Sequence, residues 1–289
     1  MISPVSIGRF MKSSFTLFLL FFVLCPLFAA FEVKNGDKIA FLGDSITYWG
    51  GTRSPYYGYI HLVLDGLKRS GIAADAVFAG VRGHNSNDML ARVERDVIRK
   101  KPQWMLLSCG VNDVWGKWKG RGVDFARYKK NIVSIVEKAQ SAGIRVVILT
   151  ASMIYEGAGN KYNTDLKKYN DFLRTLAKEK KCLLADINCR MQKEVAGKEL
   201  SRGKRVKLTY DGVHMNGRGH MMMASVILET FGVPAEKVQQ YRKEWEKSHP
   251  EVLLRISLKK EEYHLLCVRA SEKKISLEQY LKEWITELK

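Results

Sequence analysis

The sequence predicts an α/β chain built on a parallel sheet with helices on both faces. Three observations lead there. Short runs of strand length alternate with amphipathic stretches of helical period. The strand-like runs are apolar almost throughout rather than at every second residue, as strands covered on both faces are. Polar residues capable of chemistry follow three of these runs, at what right-handed crossovers make a single edge of the sheet.

Taken in order, the strand candidates are Lys38–Leu42, Ala74–Ala79, Trp104–Cys109, Ile144–Thr150 and Cys182–Ile187. Between them run helical patterns over Tyr57–Arg69, Asn87–Arg99, Phe125–Ala142 and Asp165–Lys180. The third shows the period best: Phe125, Tyr128, Ile132, Ile135, Val136 and Ala139 recur mostly three and four apart and mark one buried face. Gly71 and Gly143 follow helices where a stop is expected. Another helix, Arg218–Phe231, closes this region. After Pro234 the character changes. Residues 235–289 read as two or three charged helices, including Ser276–Leu288, with Ser276 and Gln279 spaced for a capping box. The predicted organisation is a leader over 1–30, a main domain over 31–234 and a helical extension over 235–289 packed on it.

The leader has its own signature. Arg9 and Lys12 precede an apolar run from Phe15 to Phe31, with no acidic residue before Glu32 and small residues at Ala29 and Ala30. That is the form of an export signal, so a secreted or periplasmic protein is expected. Phe28 is bulky for a cleavage site after Ala30, Met11 is an alternative start, and an uncleaved membrane anchor stays open. Beyond it remain Cys109, Cys182, Cys189 and Cys267, a count that permits disulfides in an exported protein without requiring them. Cys109 reads as a buried core thiol, and the pairing of the other three is undetermined. No Cys/His spacing fits a zinc site. The hydrophobic fraction of 46% supplies a core and excludes general disorder.

The chemistry sits in two short strings. Gly43-Asp44-Ser45 places a serine where the first strand gives way to a turn, and Asp211-Gly212-Val213-His214 places a carboxylate three positions from an imidazole. Ser45, His214 and Asp211 make a nucleophile, a base and an orienting acid. Two further segments follow apolar strands and offer donors at their ends: Gly80-Val81-Arg82-Gly83-His84-Asn85-Ser86 and Gly110-Val111-Asn112-Asp113. Ser86 is a rival nucleophile by type but lacks the strand-to-turn setting of Ser45.

These four segments, in this order, resemble the SGNH hydrolase superfamily of GDSL esterases and lipases, from about Lys38 to Val233. The resemblance implies a flavodoxin-like three-layer α/β/α sandwich with a five-stranded parallel sheet. It also implies Ser45 as nucleophile, His214 as base, Asp211 as its partner, and Gly83 and Asn112, with the Ser45 backbone, as oxyanion donors. Such a site needs no metal or organic cofactor. Phe78 stands where many relatives carry asparagine, which bears on subfamily rather than chemistry.

The expected substrate is a small-molecule or polysaccharide ester. Trp49, Trp115 and Trp118 flank the first and third segments and suit sugar rings, and His84 is placed to touch substrate. The formal net charge is +18, or +16 once Arg9 and Lys12 are set aside. Two basic clusters adjoin the site segments: Lys117, Lys119 and Arg121, and Arg202, Lys204, Arg205 and Lys207. A basic rim would concentrate an anionic substrate, which points to O-deacetylation of an acidic carbohydrate. Two other readings remain: a lipase, lysophospholipase or thioesterase using the same residues, and a non-catalytic glycan-binding protein on the same fold. The export signal and the lack of a nucleic-acid motif count against a nucleic-acid partner; the sequence leaves the oligomeric state undetermined.

Overall fold

A computed structural model describes residues 32–52, 57–157, 159–196, 199–200, 204–205, 207–248 and 258–287. The chain divides into Met1–Ala30 and Phe31–Lys289; the first unit, where the export signal is expected, lies outside the described residues.

Five strands form the sheet: β1 (Lys38–Gly43), β2 (Asp75–Gly80), β3 (Trp104–Ser108), β4 (Arg145–Leu149) and β5 (Leu183–Ala185). All are parallel, in the order β2-β1-β3-β4-β5. Ile39, Ala40, Phe41 and Leu42 of β1, Met105 of β3 and Val147 and Ile148 of β4 are fully buried, as the three inner strands must be. β2 is an edge strand, and there Phe78 stands exposed.

Helices cover both faces. On one side α3 (Ser86–Asp96), α5 (Phe125–Ser141) and α6 (Lys161–Glu179) lie side by side. On the other, α2 (Tyr59–Arg69) and α7 (Ile187–Ala196) flank α8 (Gly217–Thr230). α8 is buried almost all round, from Gly219 to Leu228, as a helix apolar on every side must be. α9 (Ala235–Ser248) covers it with Val238, Tyr241 and Trp245. The Trp245 indole donates to Asp65 of α2 at 2.7 Å, and Arg69 pairs with Glu244. α10 (Lys260–Glu272) and α11 (Leu277–Glu287) pack on each other, burying Ala270 and Tyr280.

The result is the three-layer α/β/α sandwich expected, with C-terminal helices added. Several bounds differ locally from the sequence reading, and three of these differences are each set by one polar side chain. The fifth strand was expected to reach Ile187, but it ends at Ala185. Asp186 there accepts from the Cys189 N–H at 3.1 Å and the Thr150 hydroxyl at 2.9 Å, so it starts α7 instead. α6 begins four residues earlier than its apolar period implied, because Asn160 caps it by accepting from the N–H groups of Tyr162 and Asn163, both at 3.0 Å. A helix α1 (Ser45–Gly50), which apolar period did not reveal, starts at the serine itself.

Candidate active site

Ser45 opens α1 directly after β1. The Asp44 carboxylate accepts from the Ile46 N–H at 2.8 Å and caps the helix. As first residue of that helix, Ser45 has an N–H with no acceptor inside it. Gly43 is required by close approach rather than by an unusual φ: a methyl there would lie 2.0 Å from the Thr47 hydroxyl oxygen. Ser45 Oγ lies 2.9 Å from His214 Nε2, and His214 Nδ1 lies 2.6 Å from Asp211 Oδ2. The other Asp211 oxygen accepts from the Val213 and His214 N–H groups at 2.9 and 2.8 Å. Burial pushes the Asp211 carboxyl up, but the bonds from the His214 ring and these two N–H groups outweigh it, leaving Asp211 below the usual carboxylate range.

The loop carrying this pair is anchored by the segment that follows β4. Glu156 Oε1 accepts from the N–H groups of Leu208 and Thr209 at 2.7 and 2.6 Å and from the Thr209 hydroxyl at 2.5 Å. The Tyr155 N–H donates to the Gly212 carbonyl at 2.6 Å.

Gly83 follows β2 and Asn112 follows β3, the two strands that flank β1 in the sheet. Gly83 has φ +78 with open space where a side chain would point, a conformation glycine adopts without strain. Asn112 lies on the short helix α4 (Val111–Trp115) and donates one amide hydrogen to the His84 carbonyl at 3.0 Å. That bond ties the second segment to the third and leaves the other amide hydrogen without a partner among the described residues.

Below the site is a buried polar floor. The Arg92 guanidinium is 4% exposed and donates to the carbonyls of Gly43 and Ala79 at 2.8 and 2.9 Å and to His84 Nδ1 at 3.0 Å. One side chain therefore links the ends of β1 and β2 to the residue beside Gly83. Burial and Arg92 lower the His84 pKa, so neutral His84 accepts at Nδ1 and carries its hydrogen on Nε2. His84 thus holds the scaffold through both its ring and its carbonyl. Asp113 is fully buried, accepting from the Ser86 N–H at 3.0 Å and the Cys109 thiol at 3.4 Å. Ser86 is itself fully buried, and its hydroxyl accepts from Asn131 at 3.0 Å, so the rival serine is committed to packing.

Of the proposed rim, Trp49 and Trp115 are half-buried and Trp118 is exposed. Lys117 does not line a free basic rim: it pairs with Asp165 at 2.8 Å and lies 4.8 Å from the Tyr169 ring centroid. Lys204 and Arg205 form one short strand of a two-stranded hairpin with Glu199–Leu200, and their side chains lie outside the description. Cys109, Cys182, Cys189 and Cys267 are free thiols. Arg92, Glu156, Tyr155 and Tyr210 were not anticipated. Only Arg92 left a trace in the sequence, falling on one helical face with Met89 and Val93.

Two consequences can be measured here. Asn112→Ala removes both the bond to His84 and a candidate oxyanion donor, and kcat on a p-nitrophenyl ester is expected to fall by about 10²–10³ with little change in KM. A loss below threefold would remove Asn112 from the site. The second concerns Asp44, whose carboxyl burial pushes up to about 6, against the smaller opposing pulls of the Ile46 N–H and His214. Because the folded value is raised, the Asp44 contribution to stability is fully present below about pH 4 and is lost as the pH rises through about 6. Asn at this position can still cap Ile46 but carries no charge. Asp44→Asn is therefore expected to be more stable by roughly 1–3 kcal/mol at about pH 8 and no more stable at about pH 4. Thermal melts at the two pH values decide it, and a variant less stable at the higher pH would contradict the argument.

Comparison with known proteins identifies the family. Residues 41–222 match the model of the GDSL-like Lipase/Acylhydrolase family. An acetylxylan esterase of Geobacillus stearothermophilus is 26% identical over 217 residues, covering 70% of this chain and 96% of that protein. The uncharacterised lipoprotein YqeF of Bacillus subtilis is 28% identical over 158 residues, covering 53% of this chain and 62% of its own. Among solved structures, the Geobacillus acetylxylan esterase Axe2 superposes with TM-score 0.62 at 25% identity, over 70% of this chain and 97% of that one. The acetyl xylan esterase AlAXEase superposes with TM-score 0.62 at 31% identity, over 66% of this chain and 98% of that one. A serine at the head of a helix, bonded to a histidine that is bonded to an aspartate, is thus set in a fold shared with these esterases, and the chain belongs to the GDSL-like lipase/acylhydrolase family of serine ester hydrolases.

Proposed function

We propose that this protein removes O-acetyl groups from carbohydrate through an acyl-enzyme on Ser45. The observation that carries the reading is the unbroken chain from Ser45 Oγ through His214 to Asp211, at 2.9 and 2.6 Å. As Ser45 attacks the ester carbonyl, His214 Nε2 takes its proton, and Asp211 holds the hydrogen on Nδ1 and stabilises the imidazolium. The carbonyl oxygen, gaining charge, takes hydrogen bonds from the Ser45 and Gly83 N–H groups and the free amide hydrogen of Asn112. His214 then returns its proton to the leaving sugar hydroxyl, and the acetyl group stays on Ser45. In the second half His214 deprotonates a water that attacks the acetyl carbonyl, releasing acetate and restoring the serine. Every step uses groups of the chain and water.

The acetyl-carbohydrate assignment is supported by the acetylxylan esterases among the relatives and by exposed aromatic side chains such as Tyr210, stacked on His214, and Tyr48, on the helix that Ser45 opens. An anionic glycan remains the favoured form, carried now by Arg82 and Lys161, which sit on these rings, rather than by Lys117. Export is supported by the basic and apolar pattern of residues 1–30 and by the lipoprotein name of the Bacillus relative. Among the described residues no helix is long and apolar enough to cross a membrane.

The test is hydrolysis of p-nitrophenyl esters of increasing acyl length, beside acetate release from acetylated xylan and acetylated pectin. Activity greatest on acetate and falling steeply beyond butyrate is expected, with acetate released from at least one polymer. Preference for octanoate or longer would move the function to acyl lipids. No hydrolysis of any ester by the folded protein would restore the glycan-binding reading.

A further inference from the structure

Among the described residues up to Ser248, the large apolar side chains left exposed are all aromatic: Tyr48, Tyr57, Phe78, Trp118, Tyr155 and Tyr210. No leucine, isoleucine or valine joins them there. A surface that merely tolerates apolar residues scatters them by type and place. These cluster instead by the segments that carry the site. Tyr210 is stacked on the His214 ring at 5.7 Å and 17°. Tyr57 and Phe78 pack instead on the His61 ring, at 6.1 and 5.6 Å, while Tyr48, Tyr155 and Trp118 belong to two arms.

The first arm lies toward β2. Tyr48, three residues after Ser45, packs edge-on to Trp49 at 5.2 Å, and the Arg82 guanidinium lies 5.4 and 6.0 Å from their ring centroids. The second lies toward β3 and β4. Tyr155 packs so closely on the catalytic loop that a methyl on Gly212 would come within 2.5 Å of its ring. From it the rings continue outward, Tyr155 to Tyr162 at 5.4 Å and Tyr162 to Trp118 at 5.8 Å. Lys161 Nζ lies 3.8 Å from the Trp118 centroid, and Lys161 makes no ion pair with a described residue. In the strand order β2-β1-β3-β4, Ser45 follows β1 and so falls between the arms.

We propose that the two arms are subsites for successive sugars of one glycan chain, which lies across Ser45 and presents its acetyl group from an internal residue. This rests on the carbohydrate-esterase reading and adds to it that the substrate is a chain several sugars long. The apolar C–H face of a pyranose packs on an aromatic ring while its hydroxyls stay in water, the division of surface that Tyr and Trp serve best. A cation above each arm would meet carboxylates or electronegative ring substituents on either side of the ester.

The experiment compares wild type, Trp118→Ala and Tyr48→Ala, both exposed positions, on O-acetylated xylo-oligosaccharides and O-acetylated oligogalacturonates of two to six sugars. For at least one series, kcat/KM of the wild type is expected to rise about tenfold from dimer to hexamer. Each variant is expected to lose most of that rise through KM, lowering the ratio of hexamer to dimer activity. The same hexamers are titrated calorimetrically into Ser45→Ala and Ser45→Ala/Trp118→Ala, with weaker binding expected in the second. Length-independent kcat/KM in the wild type on both series, or an unchanged ratio in both variants, overturns the proposal while leaving the esterase reading intact. Failure of the esterase reading looks different: no acetate is released from any length, and the titrations alone decide whether the arms hold a chain.

Discussion

Ser45→Ala is expected to lower kcat on p-nitrophenyl acetate by roughly 10⁴–10⁶, and His214→Ala to bring it to the same floor. The equality matters more than the size. Ser45 Oγ and His214 Nε2 are 2.9 Å apart and act in one proton transfer, so removing either disables the step and removing both costs nothing further. The double variant should match the single ones within a few-fold, with the remaining activity supplied by oxyanion donors and binding. Ser45 is buried but loses only its hydroxyl, and His214 is half-buried, so the melting temperature should change little. A loss under tenfold for Ser45→Ala, or additive losses in the double variant, would mean that the two groups do not share a step.

Asp211→Asn should cost about 10⁴ in kcat for a different reason. One Asp211 oxygen accepts from two backbone N–H groups at 2.9 and 2.8 Å, and the other faces His214 Nδ1. An asparagine keeping the backbone bonds must turn its NH2 toward Nδ1. That forces Nδ1 to accept, moves the ring hydrogen to Nε2 and leaves no lone pair for the Ser45 proton. The pH dependence follows from the sign of the Asp211 shift. Its folded pKa lies below the usual carboxylate range, so its contribution is present above about pH 4 and is lost as pH falls through the folded value. Across the range where the esterase is assayed the wild type keeps this charge, and the variant should be slower at every pH rather than merely shifted. Recovery of Asp211→Asn to wild-type rates at high pH would contradict the tautomer argument.

The parts legible in the sequence are those whose physics is local. Ser45 follows a strand and Asp211 lies three residues from His214, so a short string carries each geometry. Sheet and helices were legible because burial on both faces makes strands continuously apolar and helices periodic. What escaped depends on groups far apart in sequence. Arg92 binds the carbonyls of Gly43 and Ala79, which no pattern announces, although an arginine on the face of Met89 and Val93 was a sign. Glu156 acts on Leu208 and Thr209 across more than fifty residues. Lys117 read as part of a substrate rim because Asp165, its partner, is 48 positions away. The α7 start failed for a smaller reason: Asp186 sits among apolar residues that extend a strand pattern, and only its bond to the Cys189 N–H reveals a cap.

The most direct test is to treat the wild-type protein with a fluorophosphonate and map the modified peptide by mass spectrometry. The expected result is one adduct per chain on Ser45, formed in step with loss of esterase activity and absent from Ser45→Ala and His214→Ala. Inactivation with the adduct on another residue, such as Ser86 or Ser152, or full activity retained with Ser45 modified, would contradict the assignment of Ser45 as the nucleophile.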